Sequence, residues 1–168
     1  SLDVNSSTWI FDDGVTYKHG QTYNILNFDG LYDDINVYSM PNPSGSFTIE
    51  ANARMASKGN RTIVSKIGNG WLGYSISYSY AADRMECFMG SGSPNIIQSQ
   101  AAWNLNQWYH VALVYDAATQ TMSYYQDGVL QGSLVLTPSY STQSFKIGND
   151  NWSNFWHGDI DEVRVFNT

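Results

Sequence analysis

A chain of 168 residues with a single cysteine, Cys87, forms no internal disulfide and holds together by a buried apolar core. A net charge of −7 with only 8 Lys and Arg leaves no basic run to neutralise phosphate, which reads against nucleic acid and against anionic lipid as partners. No apolar run approaches the ~20 residues that span a bilayer, so the sequence predicts no membrane insertion.

Gly, Ser and Asn punctuate the chain at intervals of ~8–12 residues, and short alternating runs lie between them. That is the pattern of an all-β sandwich or barrel. Residues 8–11 read as an edge strand. In 46–55, Phe47, Ile49, Ala51, Ala53 and Met55 share one face, and Thr48, Glu50, Asn52 and Arg54 share the other. Residues 72–80 alternate Leu72, Tyr74, Ile76, Tyr78 and Tyr80 with Gly73, Ser75, Ser77 and Ser79. The run 108–116 is apolar on both faces, with Trp108, Ala112 and Val114 opposite Tyr109, Val111, Leu113 and Tyr115. It predicts a central strand covered on both sides. A turn over 116–120 leads into a strand at 121–126. Asp127-Gly128 then marks a hairpin, because glycine tolerates the positive φ such turns need. Strands at 145–147 and 159–166 close the set. No amphipathic helix, long repeat or linker interrupts residues 1–168, which read as one domain.

Three segments together carry a family resemblance. Leu26-Asn27-Phe28-Asp29-Gly30 precedes Asp33-Asp34-Ile35 and Gly45-Ser46-Phe47-Thr48-Ile49-Glu50-Ala51. Trp108-Tyr109-His110-Val111-Ala112-Leu113-Val114-Tyr115-Asp116 precedes Tyr125-Gln126-Asp127-Gly128. The end is Trp156-His157-Gly158-Asp159-Ile160-Asp161-Glu162-Val163-Arg164-Val165-Phe166-Asn167. In order and spacing these resemble the laminin G-like jelly-roll domains of bacteria and viruses, relatives of pentraxins and legume lectins, over residues 24–168. The resemblance implies a two-sheet antiparallel jelly-roll sandwich of the concanavalin A-like type. It also implies a complete domain, with the closing strand beside the N-terminal one. One departure stands out: where the family often has Trp two residues after the Glu of this run, the chain has Asn52.

The resemblance also implies calcium, held by Asp29, carbonyls around Gly30, and Asp161, with Asp33 and Asp34 as weaker candidates. One Asp from each of two apposed segments plus carbonyl oxygen suits a hard cation. The alternative is that Asp29 only makes the turn and Asp161 bonds backbone amides. His19, His110 and His157 lack zinc-like spacing, and His110 reads as a structural hydrogen-bonding residue. Asp159 and Asp161 could share a strand face, with Glu162 pointing the other way, which leaves no plausible acid–base pair for glycoside cleavage.

Aromatic side chains in turn-rich segments could stack on sugar rings: Trp71, Trp103, Trp152, Phe155 and Trp156. The alternative is that they plug the ends of the sandwich. Trp71, Asn151 and Trp152 are the expected ligand surface. The sequence therefore predicts a non-enzymatic, calcium-dependent carbohydrate-recognition or adhesion module of a larger extracellular, cell-surface or virion protein. The competing expectation is a structural or protein-interaction domain, such as a virion decoration or tail-associated domain, packed against other subunits with no glycan ligand.

Overall fold

The computed structural model describes residues 10–11, 16–18, 25–92 and 94–167. Among these residues there is no helix, and hence none long and apolar enough to cross a membrane. The strands form two antiparallel seven-stranded sheets. The first runs β1 (Ile10–Phe11), β4 (Ile35–Val37), β13 (Phe145–Ile147), β6 (Arg61–Gly68), β7 (Leu72–Ser79), β8 (Arg84–Gly90) and β9 (Pro94–Gln98). The second runs β12 (Val129–Val135), β11 (Thr121–Gln126), β10 (Trp108–Asp116), β5 (Phe47–Met55), β14 (His157–Asn167), β3 (Ile25–Asp29) and β2 (Thr16–Lys18). Half of the neighbouring pairs join strands distant in sequence, and the chain passes repeatedly between the sheets, as a concanavalin A-like jelly roll does. The opening and closing segments meet as the resemblance implies: β14 lies between β3 and β5, with Ile160 opposite Leu26 on one side and Ala53 on the other.

The core lies between the sheets. The inward sides of β5, β7 and β10 supply Ile49, Ala51, Tyr74, Ile76, Val111 and Leu113, all buried. Alternation seen in the sequence marks these strands because one face is buried and the other meets water. Strands without clean alternation are the ones the sequence leaves unmarked. From Thr62 to Gly68, β6 is buried on both faces. Most of β12 is exposed on both, so neither face selects for apolar residues.

Three expectations need correction. β10 is central, flanked by β5 and β11, but its outer face is open: Trp108 remains 36% exposed. Ala112 is buried there because it is small and sits between the longer side chains of Glu50 and Tyr125 in register. Trp103 and Trp156 are not platforms for sugar. Both are core residues, Trp103 packed on the Tyr109 ring at 4.1 Å between centroids, and Trp156 donating from Nε1 to the Asp159 carbonyl at 3.2 Å. Finally, Glu162 does not point away from Asp161. A β-bulge between Asp161 and Arg164, with Glu162 at φ 49, brings its carboxylate to the same outer face, where Asn52 Nδ2 donates to it at 3.2 Å.

The connection from β13 to β14 folds back over the outside of β6. Gly148 anchors it, donating to the Ile63 carbonyl at 2.8 Å and accepting from Trp156 N at 2.7 Å. Its φ is +82 and a Cβ there would collide with the Phe28 ring, so only glycine fits. The two tryptophans of this connection therefore differ sharply. Trp156→Ala is expected to cost about 3–5 kcal/mol by loss of burial and packing. Trp152→Ala, at a half-exposed site, should stay within about 0.5 kcal/mol. Urea unfolding of both variants checks this, and equal midpoint losses would contradict it.

Candidate functional site

The outward residues of the second sheet form rows across its strands. One row is Asn27 (β3), Asp159 (β14), Arg54 (β5) and Trp108 (β10), set side by side by the register. Asp159 is buried and accepts from Asn27 Nδ2 at 2.7 Å and from Arg54 Nε at 2.8 Å, with Arg54 Nη2 closing an ion pair. The guanidinium so fixed lies over the Trp108 ring, 5.4 Å from its centroid, a cation–π contact worth roughly 0.5–1 kcal/mol at a half-exposed site. The indole is thereby supported on one face by a fixed cation and stays 36% exposed.

The next row along the strands holds Asp161, Asn52 and His110. His110 N donates to Asp127 Oδ1 at 2.8 Å, which ties the β11–β12 turn to this row, and the His110 ring lies 3.4 Å from Glu50. Two depressions flank the Arg54–Trp108 pair. One, of about 350 Å³, is lined by Asn27, Asp29, Arg54, Asn106, His157 and Asp159. The other, of about 420 Å³, is lined by Ile25, Asn52, Trp108, His110, Asp127 and Asp161. Together they mark a shallow cleft, polar in the first depression and more apolar in the second, where Trp108 is the aromatic wall. At its rim, burial pushes the Asp33 carboxyl above the usual carboxylate range, against the lowering hydrogen bond from Asp29 N, and burial draws the Arg61 guanidinium down.

The residues expected to hold calcium do not converge. Asp29 stands opposite His157, and Asp161 lies four positions further along β14, roughly 13 Å away at the rise of a strand. They face different depressions. Asp29 Oδ1 accepts from Leu31 N at 2.7 Å, and the Gly30 carbonyl accepts from Arg61 Nη1 at 3.2 Å, so a guanidinium already occupies the cation side of that carbonyl. Asp161 Oδ1 accepts from Glu162 N at 2.8 Å. This donor set does not fit one shared calcium ion, and among the described residues no other group of three or more His, Cys, Asp or Glu gathers as ligands.

The expected ligand surface of Trp71, Asn151 and Trp152 lies elsewhere, at loops beside the first sheet. Trp71 is 51% exposed in the β6–β7 turn, at φ 58, and packs on Phe88 at 6.2 Å between centroids. Trp152 is 52% exposed, and its N–H donates to Asp150 Oδ1 at 2.8 Å. Asn151 Nδ2 donates to the Ile67 carbonyl near the end of β6, so its amide holds the loop to the strand that leads into the Trp71 turn.

The sequence model of the laminin G family, described as the concanavalin A-like lectin/glucanases superfamily, matches residues 29–168. The chain belongs to this family. No curated protein matches it in sequence. Among solved structures, domain 4 of an extracellular arabinanase from Geobacillus stearothermophilus, in complex with arabinotriose, aligns with a TM-score of 0.73 at 18% identity, covering 96% of this chain and 82% of that one. The heptameric pentraxin of Limulus polyphemus aligns with a TM-score of 0.63 at 16% identity, covering 83% and 73%. The binding domain of botulinum neurotoxin serotype D aligns with a TM-score of 0.72 at 15% identity; the match covers 96% of this chain but only 43% of that domain. At these identities the likeness is one of fold, and the family and these structures are mostly binding domains.

Within this laminin G-like domain, sequence reasoning missed Trp108, Arg54, Asn52 and Asn27. The signal was present: alternation places Asn52 and Arg54 on the outward face of β5. What it lacked was the pairing that sets them beside Trp108 and Asp159. Asn52, the departure from the family pattern, lies on the cleft floor between Asp161 and His110. Because Asp29 and Asp161 belong to separate depressions, Asp29→Asn and Asp161→Asn should act independently. Their effects on unfolding free energy, with and without millimolar calcium, should add within about 0.5 kcal/mol in the double variant. A larger coupling seen only with calcium would restore a shared site.

Proposed function

We propose that this domain is a non-catalytic glycan-binding module of a secreted or surface-displayed protein, and that the cleft on the second sheet is its binding face. The carrying observation is Trp108, an exposed indole supported on one face by Arg54, which is itself locked by Asp159 and Asn27. A sugar ring has an apolar C–H face and a rim of hydroxyls. An aromatic plate beside fixed amide, carboxylate and imidazole groups suits both, and a preformed site loses little entropy on binding. The arabinotriose complex of the arabinanase domain supports a glycan as the ligand class on this fold.

The non-catalytic half follows from the partners of the carboxylates. Glycoside cleavage needs one carboxyl to deliver a proton and a second to attack or to activate water. Asp159 is committed to Arg54 and Asn27, Glu50 and Glu162 both pair with Arg164 at 3.1 Å, and Asp161 accepts a backbone N–H.

Trp108→Ala should abolish retention on a panel of immobilised polysaccharides while lowering the melting temperature less than Trp156→Ala. Trp152→Ala should retain binding. The reverse outcome, loss with Trp152→Ala and none with Trp108→Ala, would move the site to the loops that carry Trp71 and Asn151. A second reading, assembly with other subunits, is favoured by one observation: β12 is an uncharged edge strand that exposes Val129, Leu130, Leu134 and Val135. Sedimentation of the chain and of Val135→Lys tests it; a dimer dissolved by the lysine would support assembly, and a monomer at all concentrations would remove self-association.

A further inference from the structure

The charge of the cleft selects its ligand. The groups on and beside it are Asp29, Asp127, Asp159, Asp161, Glu50 and Glu162 on one side of the balance, and Arg54 and Arg164 on the other. With Asp33 and Arg61 at the rim, seven carboxylates stand against three arginines among the described side chains. The cations are also the committed groups: Arg54 pairs with Asp159, Arg164 with Glu50 and Glu162, and Arg61 donates to the Gly30 and Phe155 carbonyls. Among the described side chains no cation pairs with Asp29, Asp127 or Asp161; these carboxylates accept from the backbone N–H groups of Leu31, His110 and Glu162. The anion-recognising arrangement, an arginine fork free to take a carboxylate or sulfate in bidentate fashion, is therefore absent from the floor, and carboxylates open to the ligand stand in each depression.

Resting on the glycan-binding reading of this same cleft, we infer that its ligand is an uncharged polysaccharide, and that Asp29, Asp127 and Asp161 are specificity residues that exclude anionic glycans such as uronate, sialylated or sulfated chains. A carboxylate accepts hydrogen bonds from neutral hydroxyls at full strength, so a neutral sugar gains from these groups. An anionic sugar meets like charge at close range with no cation to offset it. Rejection by juxtaposed like charge is a direct route to specificity.

The test is affinity electrophoresis of the whole chain in gels holding neutral polymers (linear arabinan, galactomannan, hydroxyethyl cellulose) or anionic ones (polygalacturonate, carboxymethyl cellulose, heparin). The two cellulose derivatives share a backbone and differ in charge. At low ionic strength, retention on at least one neutral polymer should exceed that on every anionic one by about tenfold, an estimate from a few unit charges at short range in water. The gap should narrow at high salt, where screening shortens the reach of the repulsion. Asp127→Asn with Asp161→Asn should raise the ratio of anionic to neutral retention severalfold, with the melting temperature checked to confirm folding. Equal or stronger retention on an anionic polymer would overturn the neutral class while leaving glycan binding intact. Preferential retention on cationic chitosan would overturn it too. Retention on no polymer of either set would overturn both this inference and the glycan-binding reading.

Discussion

Asp159 is a buried carboxylate at the meeting of three strands, and much of the binding face depends on how it is satisfied. Asn27 reaches it from β3 and Arg54 from β5, while its own strand, β14, runs between them. A buried charge is tolerated only when it is paired and hydrogen-bonded, and removing one partner leaves a desolvated charge behind. The constraint therefore acts on both neighbours: Asn27 and Arg54 must be where they are. Because Arg54 is fixed, its outer surface becomes a support for the Trp108 ring on the fourth strand, β10. A structural requirement of the sheet is thus also what supports the aromatic wall.

The irregularity in β14 does the complementary work. A regular strand would send Asp161 and Glu162 to opposite faces. The bulge turns Glu162 outward and leaves Val163 to fill the core. Glu162 then pairs with Arg164, as Glu50 does, so the carboxylates at that end of the face are held in place and partly neutralised. Asp161 and Asp127, beside the Trp108 plate, have no such cation among the described residues. The face is graded, from ion-paired at the bulge to openly acidic around the plate.

The loop side of the molecule shows a different economy. Asp150 is buried without a cation and accepts from Trp152 N, Asn154 N, Asn154 Nδ2 and Thr62 Oγ1 at 2.7–3.2 Å. The Thr62 bond ties the 149–154 segment to β6 and the others close the loop on itself, which explains why a loop with Asn151, Trp152 and Ser153 exposed still has a defined path. Asparagine and aspartate in this segment serve the backbone first. From sequence the same residues read as ligand contacts, because side-chain amides and carboxylates suit both tasks and composition does not separate them.

Alternation along residues 46–55, 72–80 and 108–116 was enough to specify an all-β sandwich or barrel, and three dispersed segments were enough to specify the family and with it the sandwich. Both signals are local: they need only the period of a strand and the order of motifs. Trp103 and Trp152 have equally turn-rich neighbourhoods, yet one is core and the other half-exposed, since burial depends on what packs above the residue. Asp29 and Asp161 belong to segments that do pair, as the family likeness implied, but the register sets them four positions apart and so breaks the expected site. Asn27 and Trp108 lie in family segments, and Asn52 and Arg54 on an alternating strand, but nothing local joins them; cross-strand register alone makes them neighbours. The sequence by itself determined which faces are wet and which are dry, because that is written in each strand separately. Which wet residues stand together was decided only by the tertiary structure, because strand pairing joins segments more than a hundred residues apart.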